Sequence, residues 1–165
     1  MLRVGSRGVS ENGQRLAAEL GERRREDGIS AVFTSDLRRA VETAEIAFAG
    51  TTIPLYPDAR LRECNYGAMN GMPASRLETE RPLRIDRPFP DGESWRQAVE
   101  RVGGFLQELA ETRDGERVLV IGHVATRWAL DHFVSGVSLA DLVDAPFDWR
   151  EGWTYTFCRP PGRLA

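Results

Sequence analysis

The run Arg117-Val118-Leu119-Val120-Ile121, closed by Gly122-His123, most narrows what this chain can become. From Val118 to Ile121 it is continuously apolar and has no polar face, the pattern of a strand buried on both sides of a sheet. Strands of that kind need helices to cover them, and the sequence supplies these. Ser10 is placed to cap an amphipathic helix over 10–25 in which Leu16, Ala17 and Leu20 share a face, and Gly28 stops it. Ile29 to Phe33 is a short run of strand formers ending at Thr34-Ser35. Asp36 opens a second helix carrying Leu37, Ala40, Val41, Ala44 and Phe48, with Gly50 just past its end. Thr52 to Tyr56 reads as another strand, and Pro57-Asp58 turns out of it. Ser94 caps the clearest helix, where Trp95, Ala98, Val99, Val102, Phe105, Leu106 and Leu109 recur at three-and-four spacing. A helix through Trp128 and Leu130 follows His123, and Trp153 to Cys158 alternates as a late strand would. Helices and strands taking turns along the chain imply an α/β fold of three layers, a mainly parallel sheet flanked by helices.

Residues 60–92 are the least regular part. Prolines at 73, 82, 88 and 90 and glycines at 67, 71 and 92 break any long element, though a short helix fits around Ala74 to Glu80. We read the whole chain, 1–165, as a single domain with a lid-like excursion at about 67–92 and a loose tail over 159–165. Against 25 acidic residues stand 22 basic ones, a net charge of −3, too mild a balance for nucleic acid as the main partner. The run Arg23-Arg24-Arg25 is flanked by Glu22, Glu26 and Asp27 and reads as a solvated helix end. Cys64 and Cys158 lack CxxC spacing and a small secreted scaffold, which argues for a reducing compartment. No apolar stretch approaches the roughly 20 residues of a membrane helix, and no signal-peptide pattern opens the sequence, so a cytoplasmic location without a membrane partner is expected. Neither His123 nor His132 has zinc-site spacing, so no metal or other cofactor is expected.

Ligands of open α/β sheets bind outside the carboxyl ends of the strands. Three polar groups fall at such places: Thr34-Ser35-Asp36-Leu37-Arg38-Arg39, Leu61-Arg62-Glu63, and His123 where a helix begins. Guanidinium, imidazole and the free N–H groups of a helix start together describe a phosphate pocket, and a carboxyl group beside it would give or take a proton. Each residue also has a plainer reading. Arg38 and Arg39 can be solvated helix arginines, Glu63 a surface acid, and His123 and His132 hydrogen-bonded structural residues. Composition and spacing alone support an anion site on an α/β sheet, and no more.

Four segments add to this. Thr34-Ser35-Asp36-Leu37-Arg38-Arg39-Ala40-Val41-Glu42-Thr43-Ala44, Leu61-Arg62-Glu63-Cys64-Asn65-Tyr66-Gly67, Gly92-Glu93-Ser94 and Val118-Leu119-Val120-Ile121-Gly122-His123 stand in this order along the chain. They resemble the corresponding segments of the histidine phosphatases, the phosphoglycerate-mutase-like superfamily, and the resemblance extends from residue 10 to about 158. It implies that Arg39 binds phosphate, Glu63 is the proton donor, and His123 binds and stabilises the transferring phosphoryl. The partner it implies is a small phosphorylated molecule, and the activity that of a phosphomonoester phosphatase.

The family reaction also uses an Arg-His-Gly at the end of a first strand, whose histidine becomes phosphorylated. The only histidines here are His123 and His132. Residues 1–9 read Met1-Leu2-Arg3-Val4-Gly5-Ser6-Arg7-Gly8-Val9. In one register Arg3-Val4-Gly5 takes the place of Arg-His-Gly, and Val4 stands where the nucleophile belongs. In the other these residues match the loop before the first helix, and the first strand is missing; the short span from Gly5 to Ser10 favours this register. Either way the chain reads as a phosphatase truncated or degenerate at its nucleophile, or as a non-catalytic pseudo-enzyme that binds a phosphorylated ligand. A sheet without its first strand would have an open edge, to be filled by a substitute strand or by a second copy in a homodimer.

Overall fold

A computed structural model describes residues 8–146 and 150–157. The readings made above for Arg3, Val4, Gly5, Cys158 and the tail fall outside the described residues. The chain divides into two compact units, Met1–Arg62 with Gly115–His123, and Glu63–Asp114 with Val124–Ala165.

The first unit holds the sheet. Helix α1 spans Glu11–Arg24, and its cap is Ser10, whose hydroxyl accepts from Gly13 N–H at 3.2 Å. Strand β1 is Ala31–Thr34, helix α2 is Arg38–Ala47, strand β2 is Leu55–Pro57 and strand β3 is Val118–Ile121. All pairings are parallel in the order β2-β1-β3, with Val32 opposite Leu55 and Leu119. Ile29, Val32, Ala44, Ala47 and Phe48 form the core, joined by Leu20, Ile53, Leu55, Leu119 and Ile121. Leu16, expected on the apolar face of α1, is 40% exposed, while Ala17 is buried. A finer reason for that facing is Gly21: a Cβ there would lie 2.0 Å from the carbonyl oxygen of Ala47. The same oxygen accepts from Arg25 Nε at 2.8 Å, so this arginine fastens α1 to the end of α2 instead of standing in water as the charge run suggested. Gly21→Ala should therefore cost about 1–3 kcal/mol, read as a lower midpoint in urea unfolding, because the new methyl must push the two helices apart.

Strand β3 differs from expectation in one respect. Its four residues are half-buried, not buried on both faces. Among the described residues it pairs with β1 alone and so ends the sheet.

The second unit is helical. After short 3-10 turns, helix α3 covers Ala74–Glu80, as the sequence suggested. Helix α4 runs Trp95–Thr112 behind a full capping box, with Ser94 Oγ accepting from Gln97 N–H and the Gln97 side chain accepting from Ser94 N–H. All seven residues of its apolar stripe are buried. Helix α5 is Val124–Phe133, with Trp128 against Trp95 at 4.3 Å between ring centres. A further helix, α6 (Leu139–Asp144), was not expected; Ser138 caps it. The late strand expected over 153–158 is absent from the described part, 153–157. Trp153, Tyr155 and Phe157 do alternate in burial with exposed Thr154 and Thr156. The segment is held by side chains, however: Tyr155 Oη donates to Asp131 Oδ1 at 2.6 Å and Trp153 lies under Arg127. Alternation reports a two-faced extended segment, not a hydrogen-bonded ladder.

Two of the sequence segments singled out above are clamped together in this unit. Ala68 N–H donates to Pro90 O and Glu93 N–H to Asn65 O, both at 2.8 Å. The backbones pass so closely that a Cβ on Gly67 would lie 2.0 Å from Pro90 O, and one on Gly92 2.2 Å from Asn65 O. Gly67 also has φ +54°, which glycine adopts without strain. The Glu93 carboxylate then accepts from Asn65 N–H and from two nitrogens of Arg101 at 2.8–2.9 Å. Partial burial would raise its pKa, but Arg101 and the Asn65 N–H outweigh this and hold it below the usual range.

Candidate active site

In the first unit, β1 and β3 end level with one another, Thr34 opposite Ile121. The residues just beyond them therefore meet. Ser35 Oγ lies 2.8 Å from His123 Nε2, and Arg39 Nη2 lies 3.3 Å from His123 Nδ1. A guanidinium only donates, so in this arrangement Nδ1 accepts and Nε2 carries the proton, donating it to Ser35 Oγ. Ser35 is fully buried. The sequence places it in the polar group after β1 but gives it no role of its own; the pairing register brings it to the histidine.

A cavity of about 390 Å³ opens here, lined by Gly8, Val9, Ser10, Arg39, Thr43 and His123, among others. Its N-terminal wall is pinned by Val9 N–H, which donates to Glu42 Oε2 at 2.7 Å. That N–H and the Arg38 guanidinium keep the Glu42 carboxyl below the usual range. The three arginines of the sequence segments are thereby sorted. Arg38 is paired with Glu42 at 2.5 Å. Arg62 grips both oxygens of Asp36 at 2.5–2.6 Å and lowers its pKa. Arg39 is turned to His123.

Glu63 belongs to the second unit. Its carboxylate accepts from Cys64 N–H at 2.9 Å, Val124 N–H at 3.2 Å and Ala125 N–H at 3.1 Å. This corrects one expectation: the first two N–H groups of α5, read as free to receive an anion, are already taken by Glu63. Glu63→Ala should leave both without an acceptor and destabilise the protein by about 0.5–2 kcal/mol, with Glu63→Gln losing less, as denaturant titration would show.

His132 stands apart from these groups. Its Nδ1 donates to Val137 O at 2.7 Å and fastens the turn after α5. Cys64 is buried, and burial pushes its thiol well above the ordinary range, the opposite of a reactive thiolate. Among the described residues, no group of three His, Cys, Asp or Glu side chains is arranged to hold a metal ion, and no helix is long and apolar enough to cross a membrane.

Comparison with known proteins agrees with the sequence resemblance. The chain matches the family model of the histidine phosphatase superfamily (branch 1) over residues 7–149. It is 33% identical over 123 residues to a probable phosphoglycerate mutase, GpmB, of Citrobacter koseri, covering 70% of this chain and 57% of that protein. A Klebsiella pneumoniae protein of the same name is 34% identical over the same share of each chain. The chain thus spans a little over half the length of these curated relatives. Among solved structures, Bacillus stearothermophilus YhfR superposes with a TM-score of 0.73 at 28% identity, covering 86% of this chain and 74% of that one. A mycobacterial glucosyl-3-phosphoglycerate phosphatase shares the fold, with a TM-score of 0.69 at 24% identity over 84% of this chain and 74% of that one. The fold is therefore phosphoglycerate-mutase-like, and the chain belongs to the histidine phosphatase superfamily.

Proposed function

We propose that this chain carries the phosphate-binding part of a phosphomonoester phosphatase site, truncated or degenerate at its nucleophile. The observation that carries this reading is the meeting of the Arg39 guanidinium and the His123 ring over one cavity, at 3.3 Å. A phosphoryl group entering there would take hydrogen bonds from Arg39 in place of the imidazole nitrogen. His123, freed from Arg39 and held by Ser35, would present Nδ1 to a phosphoryl oxygen, for which Nδ1 must take up a proton. Glu63 is assigned the proton to the leaving oxygen. The ligand is a small phosphorylated molecule, and the related probable phosphoglycerate mutases support that class.

The missing step is the attack. In this superfamily a histidine takes the phosphoryl covalently, and the two histidines of this sequence are already assigned, to the pocket and to the turn at Val137. A second reading, a non-catalytic protein that binds a phosphorylated ligand, is favoured by Glu63. Three backbone N–H groups engage its carboxylate, which suits a structural cap better than a mobile acid. Both readings require phosphate at Arg39 and His123. Titration with inorganic phosphate, followed through the His123 ring signals by NMR, tests this requirement. Saturable shifts at His123 are expected, and their absence at millimolar phosphate would remove the basis of both.

A further inference from the structure

Beside the phosphate site proposed above stands a residue that does not reach what enters it. Ser35 is fully buried, and the described residues lining the cavity include Arg39 and His123 but not Ser35. Its backbone is tied on both sides. Ser35 N–H donates to Ile121 O at 3.2 Å, and Thr34 Oγ1 donates to Ser35 O at 3.2 Å. Fixed in this way between the ends of β1 and β3, the Ser35 hydroxyl lies 2.8 Å from His123 Nε2. The two nitrogens of the ring therefore meet different surroundings. Nδ1 stands with Arg39 at the cavity, while Nε2 is turned inward to a hydroxyl sealed from water.

We infer that Ser35 is a positioning residue for phosphate binding: by accepting the Nε2 proton it holds the His123 ring with Nδ1 toward the ligand. This role rests on the phosphate site at Arg39 and His123. Without ligand, Arg39 donates to Nδ1, so the single proton of the ring is on Nε2 and is given to Ser35 Oγ. When a phosphoryl group draws Arg39 away, the ring takes up one proton from solvent and becomes an imidazolium. Nε2 already carries a proton, so the new one goes to Nδ1, where a phosphoryl oxygen accepts it. Ser35 Oγ accepts from Nε2 in both states, and in the second the bond is charge-assisted and stronger. Without that hydroxyl the imidazolium would keep an inward N–H with no acceptor. The charged ring, and with it the phosphate complex, would be disfavoured.

The test titrates inorganic phosphate into the 165-residue protein, Ser35→Ala and Ser35→Cys, and follows the ring nitrogens of His123 by NMR. The first variant removes the hydroxyl. The second keeps a side chain of similar size but offers a sulfur that accepts only weakly. In the unaltered protein Nε2 should carry its proton with and without phosphate, and Nδ1 should gain one as phosphate saturates. Both variants should bind phosphate at least about tenfold more weakly. Their Nε2 proton, no longer held by a buried acceptor, should exchange with water faster even before phosphate is added. Binding by both variants within about twofold of the unaltered protein would overturn the role of Ser35 and leave the phosphate site standing. Full affinity in Ser35→Cys, with loss only in Ser35→Ala, would show that Ser35 merely fills space and would overturn the role equally. So would a proton found on Nδ1 in place of Nε2 in the unaltered, phosphate-free protein. If phosphate leaves the ring of the unaltered protein unmoved, the phosphate site itself falls, and this role with it.

Discussion

Arg39→Ala should weaken binding of inorganic phosphate by about 10- to 100-fold, whereas Arg38→Ala should change it by less than about twofold. The two residues are neighbours at the start of the same helix, and by composition they are equivalent. The fold separates them. Arg38 reaches along α2 to Glu42, four residues on, and that partner also holds the Val9 N–H at the cavity wall. Arg39 lines the cavity and meets His123. A hydrogen bond to a charged group contributes about 1.5–3 kcal/mol, and each 1.4 kcal/mol is tenfold in affinity, which gives the expected range. Isothermal titration of the two variants beside the unaltered chain measures it directly. Equal losses in both would mean that the cavity arginine has been chosen wrongly.

How far the sequence alone reached depends on the kind of signal. The stripe on α4 was readable in full, because seven apolar residues at helical spacing have only one way to be buried together. The run at β3 was readable as a strand but not as a half-buried one. Its composition reports what it can tolerate, while its exposure depends on which strands lie beside it. Tyr155 shows the same limit: its alternating neighbours looked like a strand, and the contact that holds the segment is a hydroxyl on Asp131. Arg39 and Glu63 were marked by their resemblance to family segments. Ser35 stands in one of those segments without a role assigned to it, since its closeness to His123 arises from the parallel register of β1 and β3. The engagement of Glu63 by the first N–H groups of α5 was invisible for a similar reason, the partners being 61 and 62 residues apart.

The other large effect expected is on turnover. Phosphoryl transfer in two steps needs a group with a lone pair placed for attack, and removing the nucleophile from a serine protease costs on the order of a millionfold in rate. His132 is tied to Val137 O, and Cys64 is buried with its thiol held protonated, so neither is poised to substitute. Arg39 and His123 would still bind the ester, and preorganised donors retain some rate without a nucleophile, but attack would fall to unactivated water. The direct measurement is hydrolysis of p-nitrophenyl phosphate by the 165-residue chain, assayed beside its His123→Ala variant under conditions where phosphate binding has been verified. Both proteins are expected to stay near the uncatalysed rate. Robust turnover by the unaltered chain that His123→Ala abolishes would show that a nucleophile is present and overturn the reading of the site.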